Sequence, residues 1–246
     1  MDLSSNTILI TGGSEGIGLA LAERFLQAGS EVLICGRREE LLQEAQAKHP
    51  RLKIQVCDVS KEAERITLLN WATSQFPNLN VLINNAGIQR RFQFTQDLEW
   101  GLVQQEIVTN FEAPVHLSML FIKHLLKQQH PAIINVTSGL AFTPAAFAPV
   151  YSATKAALHS FTLSLRHQLS KTPIKVLEIV PPAVNTNLGG TGLHTTGVPL
   201  AEFADAVIKQ IEDGELEITY GFSEKTSRAS REELDEIFKR MNQALP

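Results

Sequence analysis

Tyr151 and Lys155 lie four residues apart in the run Tyr151-Ser152-Ala153-Thr154-Lys155. On a helix that spacing puts both side chains on one face, one turn apart. A phenol titrates near pH ~10 and is a poor proton donor at neutrality. A fixed ammonium beside it favours the phenolate and lowers that value. The pair is a candidate general acid/base, although Tyr and Lys also share the faces of ordinary surface helices. A second set of residues points to a ligand. In the stretch TGGSEGIG, residues 11–18, Gly12, Gly16 and Gly18 surround Ser14, Glu15 and Ile17. Glycines at a strand-to-helix turn permit a tight bend and let backbone N–H groups approach a pyrophosphate at the helix N-terminus. The spacing is G-x-x-x-G-x-G, and a plain glycine turn would also produce it.

Short β-branched apolar runs must position these groups. Strands are expected at 7–10, 31–35, 53–57, 81–84, 132–136 and 175–180, with a weaker one at 216–219. Helical patterns fall near 17–28, 38–48, 60–75, 97–129, 150–171 and 200–212. The strands lack polar alternation, as in sheets buried on both faces. Strand–helix alternation then predicts an α/β fold, a Rossmann-type doubly wound parallel sheet of about seven strands in a three-layer α/β/α arrangement. Residues 1–246 read as a single domain without linker or repeat. The irregular stretch at about 182–199, rich in Gly, Thr and Pro, is long enough to be a functional loop. The last segment, about 230–243, starts with Ser230 and carries Glu233 three residues on, a capping-box pattern.

In dinucleotide folds an acid after the second strand selects NAD. Here that place reads Gly36-Arg37-Arg38. Two guanidiniums suit a 2′-phosphate through charge-assisted, bidentate contacts, so NADP is favoured, with NAD the alternative. Arg38 could instead cap a solvated helix start. Glu15, in the glycine loop, would repel the same phosphate. Asp58 and Val59 end the third strand; Asp58 could bond an adenine amino group or belong, with Ser60, to the N-cap of the next helix. Asn84-Asn85-Ala86-Gly87 ends the fourth strand, where ligands bind in open α/β sheets and where a structural turn would look similar.

The 246 residues carry a net charge of −4, with 43% hydrophobic and 20% charged residues. No basic patch or tail marks a nucleic-acid partner. No apolar stretch is long enough to span a membrane, and the N-terminus lacks a signal-peptide pattern. Cys35 and Cys57 read as small buried hydrophobes without a disulfide framework or metal site, which fits a reducing cytoplasm.

TGGSEGIG, Asp58, Asn84-Asn85-Ala86-Gly87, Asn110, Ser138, the Tyr151–Lys155 run and Pro181-Pro182-Ala183-Val184-Asn185-Thr186 occur in that order. Together they make the chain resemble the short-chain dehydrogenase/reductase family in its single-domain form. Within that family it is most similar to the DltE-like reductases. The resemblance implies hydride transfer between a nicotinamide cofactor and a carbonyl or secondary alcohol, with NADPH-dependent carbonyl reduction favoured. It implies that Tyr151 gives a proton to the carbonyl oxygen and that Lys155 holds the ribose and lowers the Tyr151 pKa. Ser138 would polarise the carbonyl, and Asn110 would steady a water that relays protons through Lys155. Cofactor contacts would come from Gly12, Ser14, Glu15, Gly16, Ile17, Gly18, Arg37, Arg38, Asp58, Val59, Asn85, Ala86, Gly87, Tyr151, Lys155, Pro181, Val184 and Thr186. Pro182 stands where relatives usually carry Gly and removes a backbone N–H.

A substrate pocket walled by Gln89–Phe94, Leu140–Phe147 and the 187–199 loop would offer Phe92, Phe94, Phe142 and Phe147, with Arg90 and Arg91 at its mouth. That combination points to an apolar carbonyl substrate with an anionic end, unless the phenylalanines are core and the arginines solvated. The alternative is a non-catalytic dinucleotide-binding redox sensor or assembly subunit. In the resembling family the two long helices pair across two-fold axes, which implies a homodimer or homotetramer.

Overall fold

The computed structural model describes residues 2–243. Seven strands form one sheet in the order β3-β2-β1-β4-β5-β6-β7. They are β1 (Thr7–Thr11), β2 (Glu31–Gly36), β3 (Lys53–Val56), β4 (Val81–Asn84), β5 (Ala132–Val136), β6 (Lys175–Val180) and β7 (Glu217–Thr219). Every neighbouring pair is parallel. The chain winds outward from β1 through β2 to β3, then returns to lay β4 on the other side of β1. That reversal opens a crevice at the carboxyl ends of β1 and β4, where open α/β sheets bind ligands.

Alternate residues of one strand face opposite layers, which is why the runs are apolar throughout. Ile8 and Ile10 pack into one core with Leu21 and Phe25 of α1 (Gly16–Gln27), Leu42 of α2 (Glu39–Lys48) and Phe203, Val207 and Ile211 of α7 (Leu200–Asp213). Leu9 between them points to a second core with Leu68 of α3 (Glu62–Gln75) and Leu117 and Phe121 of α5 (Ala113–Leu125). A fully buried Phe such as Phe25 contributes about 1.5–3 kcal/mol. No helix among the described residues is long and apolar enough to cross a membrane.

The expected helix at 97–129 is three pieces: α4 (Trp100–Ile107), a π turn (Val108–Glu112) and α5. The cause is Pro114, which has no N–H to return to the preceding turn; the wider π turn falls at that break. Arg65 of α3 braces it, donating to Glu112 Oε1 at 2.7 Å and to the Val59 carbonyl at 2.9 Å. The helix expected at 150–171 is α6 (Pro149–Gln168). A short helix, α8 (Phe222–Ser227), had no sequence signal. The last helix is α9 (Arg231–Asn242), and its capping box is formed: Glu233 N donates to Ser230 Oγ at 3.3 Å and Ser230 N to Glu233 Oε2 at 2.7 Å. The irregular loop is closed at its base, with Val198 N donating to the Ala183 carbonyl and Asn185 N to the Val198 carbonyl, both at 2.9 Å.

Candidate active site

The glycine loop is built for backbone approach. Gly12 has φ +64°, and a Cβ there would stand 2.8 Å from Ala86 Cα. Asn85 locks the loop to the end of β4, donating from Nδ2 to the Thr11 carbonyl at 2.9 Å and the Gly12 carbonyl at 3.0 Å. The N-cap residue of α1, Glu15, makes no side-chain capping bond. The first N–H groups of the helix are therefore not capped by that side chain, and its positive dipole end faces the loop.

Beyond β2, Glu15 pairs with Arg38. The carboxylate expected to repel a phosphate is thus neutralised, and it orients one of the two guanidiniums. Arg37 is exposed and makes no ion pair among the described residues. Asp58 Oδ1 accepts from Ser60 N at 3.0 Å and Ser60 Oγ at 2.8 Å. Asp58 and Ser60 thus close the turn before α3 and do not supply its N-cap, which is Lys61 without a side-chain cap.

On α6, Tyr151 is 6% and Lys155 3% exposed. Lys155 Nζ donates to the Val136 carbonyl at the end of β5, at 2.8 Å, and lies 5.6 Å from the Tyr151 ring centre. Burial pushes the Lys155 ammonium down to about 8. Burial pushes the Tyr151 phenol up to about 12, against interaction with the Ser138 hydroxyl and with help from the charge of Glu106. The expectation that Lys155 depresses the Tyr151 pKa does not describe this state, in which burial of the phenol is the largest influence on it. Ser138 stands just past β5, where its Oγ accepts from Leu140 N at 3.1 Å.

Asn110 is fully buried in the π turn. Its Oδ1 accepts from Ile88 N at 2.9 Å, and its Nδ2 donates to the Ile88 carbonyl at 2.8 Å and to Thr154 Oγ1 at 3.2 Å. The amide clamps the segment after β4 as a neighbouring strand would. A Cβ on Gly87 would stand 3.6 Å from both Asn110 Oδ1 and Lys155 Nζ, so the two groups meet at that glycine.

A cavity of about 930 Å³ joins these parts. Gly12, Ser14, Glu15, Gly16, Ile17, Arg37 and Arg38 line one end, and Asp58, Val59, Asn85, Ala86 and Gly87 its floor. Ser138, Tyr151, Lys155, Pro181, Val184 and Thr186 line the rest. Gly18 and Asn110 are not on its surface; both act from behind it. At Gly18 a Cβ would stand 2.5 Å from Asn85 Nδ2 and from the Gly12 carbonyl.

The expected phenylalanine wall is mostly elsewhere. Phe92 packs with Val103 and Val150 in a small separate core. Phe94 is 66% exposed, and Phe142 meets the edge of His159 with ring centres 4.7 Å apart. Only Phe147 of the four reaches the cavity, with the Arg91 guanidinium 4.7 Å above its ring. Arg90 is turned onto α4, donating to the Leu102 carbonyl at 3.1 Å and to Gln105. The sequence did not point to Thr109, Phe222 or Met241, which also line the cavity, nor to Glu106, whose burial no motif signals.

Three comparisons bear on this arrangement. The family described as short chain dehydrogenase matches residues 6–195. DltE of Bacillus subtilis, described as an uncharacterized oxidoreductase, is 48% identical over 248 residues, spanning 98% of this chain and 98% of that protein. A protein of Escherichia coli described as NADP-dependent 3-hydroxy acid dehydrogenase YdfG is 31% identical over 214 residues, spanning 87% of this chain and 80% of its own length. Among solved structures, a short chain dehydrogenase from Burkholderia cenocepacia in complex with NADP superposes with a TM-score of 0.84 at 24% identity, covering 97% of this chain and 99% of that one. The chain is an oxidoreductase of the short-chain dehydrogenase family, of DltE-like type.

Proposed function

We propose that the protein is a single-domain, NADP-dependent reductase of small carbonyl compounds. The observation that carries this is the meeting, in one cavity, of the Ser138–Tyr151–Lys155 set with an unpaired Arg37 at the other end. The residues present fit a dinucleotide: the bend at Gly12 leaves no room for a Cβ, and the start of α1 carries no side-chain cap. Gly12–Ile17 would hold the pyrophosphate, Arg37 a 2′-phosphate with Arg38 beside it, Asp58 and Val59 the adenine, and Pro181, Val184 and Thr186 the nicotinamide end. Bound there, the cofactor supplies a hydride to the carbonyl carbon. Ser138 then donates a hydrogen bond to the carbonyl oxygen, and Tyr151, neutral at physiological pH, gives it the proton. Lys155, fixed to the end of β5, places its charge behind that oxygen.

The NADP-dependence stated for the Escherichia coli relative supports the cofactor assignment. Its substrate class agrees with an anionic group near Arg91, which lies over the Phe147 ring and makes no ion pair among the described residues. Two further parts of the proposal are a homodimer or homotetramer, read by light scattering, and residence in the cytoplasm, in keeping with the free buried thiols of Cys35 and Cys57. The test of activity is NADPH consumption across a panel of aldehydes, ketones and 3-oxo acids. Turnover that Tyr151→Phe lowers about 10²–10⁴-fold while NADPH binding persists supports the proposal. NADPH binding without turnover of any carbonyl would favour the redox-sensor alternative.

A further inference from the structure

Glu178 is fully buried in β6, between the buried apolar residues Val176, Leu177, Ile179 and Val180. A carboxylate there costs free energy unless it is paired and hydrogen-bonded. Its partners come from two layers. His159 Nδ1, on α6, lies 2.9 Å from Oε1 and 3.0 Å from Oε2; facing acceptor oxygens, Nδ1 carries the proton. Thr137 Oγ1, just past β5, donates to Oε1 at 2.6 Å, and the Ile179 carbonyl lies 3.3 Å away as a second acceptor. Replacing such a buried pair by apolar side chains of similar volume is often neutral or stabilising, so stability alone does not account for it.

Thr137 immediately precedes Ser138, and His159 shares one face of α6 with Tyr151 and Lys155 at successive four-residue steps. Ser138 and Tyr151 must reach one carbonyl oxygen, yet they stand on different elements. Backbone bonds fix Ser138 only within the sheet: Thr137 N donates to the Ile179 carbonyl at 2.8 Å and Gly139 N to the Pro181 carbonyl at 2.9 Å. Neither reaches α6. Lys155 makes that crossing at the Val136 carbonyl, and His159 makes it one turn later through Glu178 and Thr137. Apolar contact is non-directional, whereas two polar ties one turn apart fix both the position and the tilt of the helix on the sheet. Phe142, four residues after Ser138, meets the His159 ring edge-on with centres 4.7 Å apart, so the same imidazole braces the chain on both sides of Ser138. Neither His159 nor Glu178 lines the cavity.

We propose that His159, Glu178 and Thr137 are positioning residues that hold α6 against the end of β5, so that Tyr151 and Ser138 meet the same carbonyl oxygen. This rests on the roles given above to Ser138 and Tyr151. A misplacement of about 1 Å at a reacting group costs on the order of 10²-fold in rate. Loosening the tie therefore lowers kcat and leaves NADPH binding in place.

The test replaces both members of the pair, His159→Leu with Glu178→Met, so that no charge is left buried alone and the parent's circular dichroism is kept. The substrate is the carbonyl of the panel above that the parent reduces fastest. The expected result is a kcat lowered about 10–100-fold, with NADPH affinity by fluorescence titration within about 3-fold of the parent. Should the double variant fail to fold, Thr137→Val deletes only the hydroxyl nearest Ser138, and it should lower kcat at least about 5-fold with the same NADPH affinity. A kcat within about 3-fold of the parent, or a loss of kcat matched by an equal loss of NADPH affinity, overturns the proposal. Absent NADPH-dependent turnover in the parent overturns the reading of the site and this proposal with it; turnover in the parent beside an unslowed variant overturns this proposal alone.

Discussion

The Lys155 ammonium stands 5.6 Å from the centre of the Tyr151 ring and gives its hydrogen bond to the Val136 carbonyl, at 2.8 Å. It is thus tied to the end of β5 before any ligand arrives, and it acts on the phenol through space. Burial holds it at about 8, below the 10.5 of a free lysine. The unfolded chain therefore keeps this proton to higher pH than the folded one, so stability rises as pH climbs from about 8 to 10.5. Lys155→Met lacks that rise. Denaturant melts of the two proteins should show a stability difference that changes by up to about 3 kcal/mol across the window, with the variant favoured most at the low-pH end. A pH-independent difference would mean that the ammonium is not desolvated.

Asn110 supplies both hydrogen bonds to the backbone of Ile88. Asn110→Ala orphans a part-buried N–H and a part-buried carbonyl of Ile88, at up to about 1–3 kcal/mol each. The variant should lose about 1–3 kcal/mol in a thermal or urea melt, independently of any effect on turnover. A melt like that of the parent would show that the segment after β4 is held by something else.

Gly18 never touches the cavity, yet it sets the cavity's shape. A Cβ there meets the Gly12 carbonyl and Asn85 Nδ2 at 2.5 Å, and the carbonyl is backbone that can move only with the loop. Gly18→Ala should cost about 1–3 kcal/mol of stability and weaken NADPH binding about 10-fold or more in a fluorescence titration. Binding at the parent's strength would show that the loop can shift without cost.

The sheet was legible because its strands are buried on both faces, so Ile8-Leu9-Ile10 reads as one apolar run although its members feed two cores. The glycine loop, Ser138, Tyr151 and Lys155 were legible as types and spacings. Pro114 carried a signal for the break in the long helix, but reading it needed the brace from buried Arg65 to the half-exposed Glu112. The destinations of Phe92, Phe94 and Phe142 were not legible, because an aromatic side chain suits a core, a surface or a pocket equally well and only packing decides. Glu15 looked repulsive until Arg38 was seen against it. The direction of the Tyr151 shift was missed for a related reason: spacing reports the neighbouring charge, and only the fold reports the desolvation that outweighs it.

If the cavity holds NADP as proposed, Arg37 and Arg38 outweigh a Glu15 that is already paired with Arg38. The most direct measurement is a fluorescence titration of the purified protein with NADPH and, separately, with NADH. NADPH is expected to bind tighter than NADH by about 10-fold or more, as charge-assisted contacts to one added phosphate supply about 1.5–3 kcal/mol. NADH binding as tightly as NADPH, or more tightly, would contradict it.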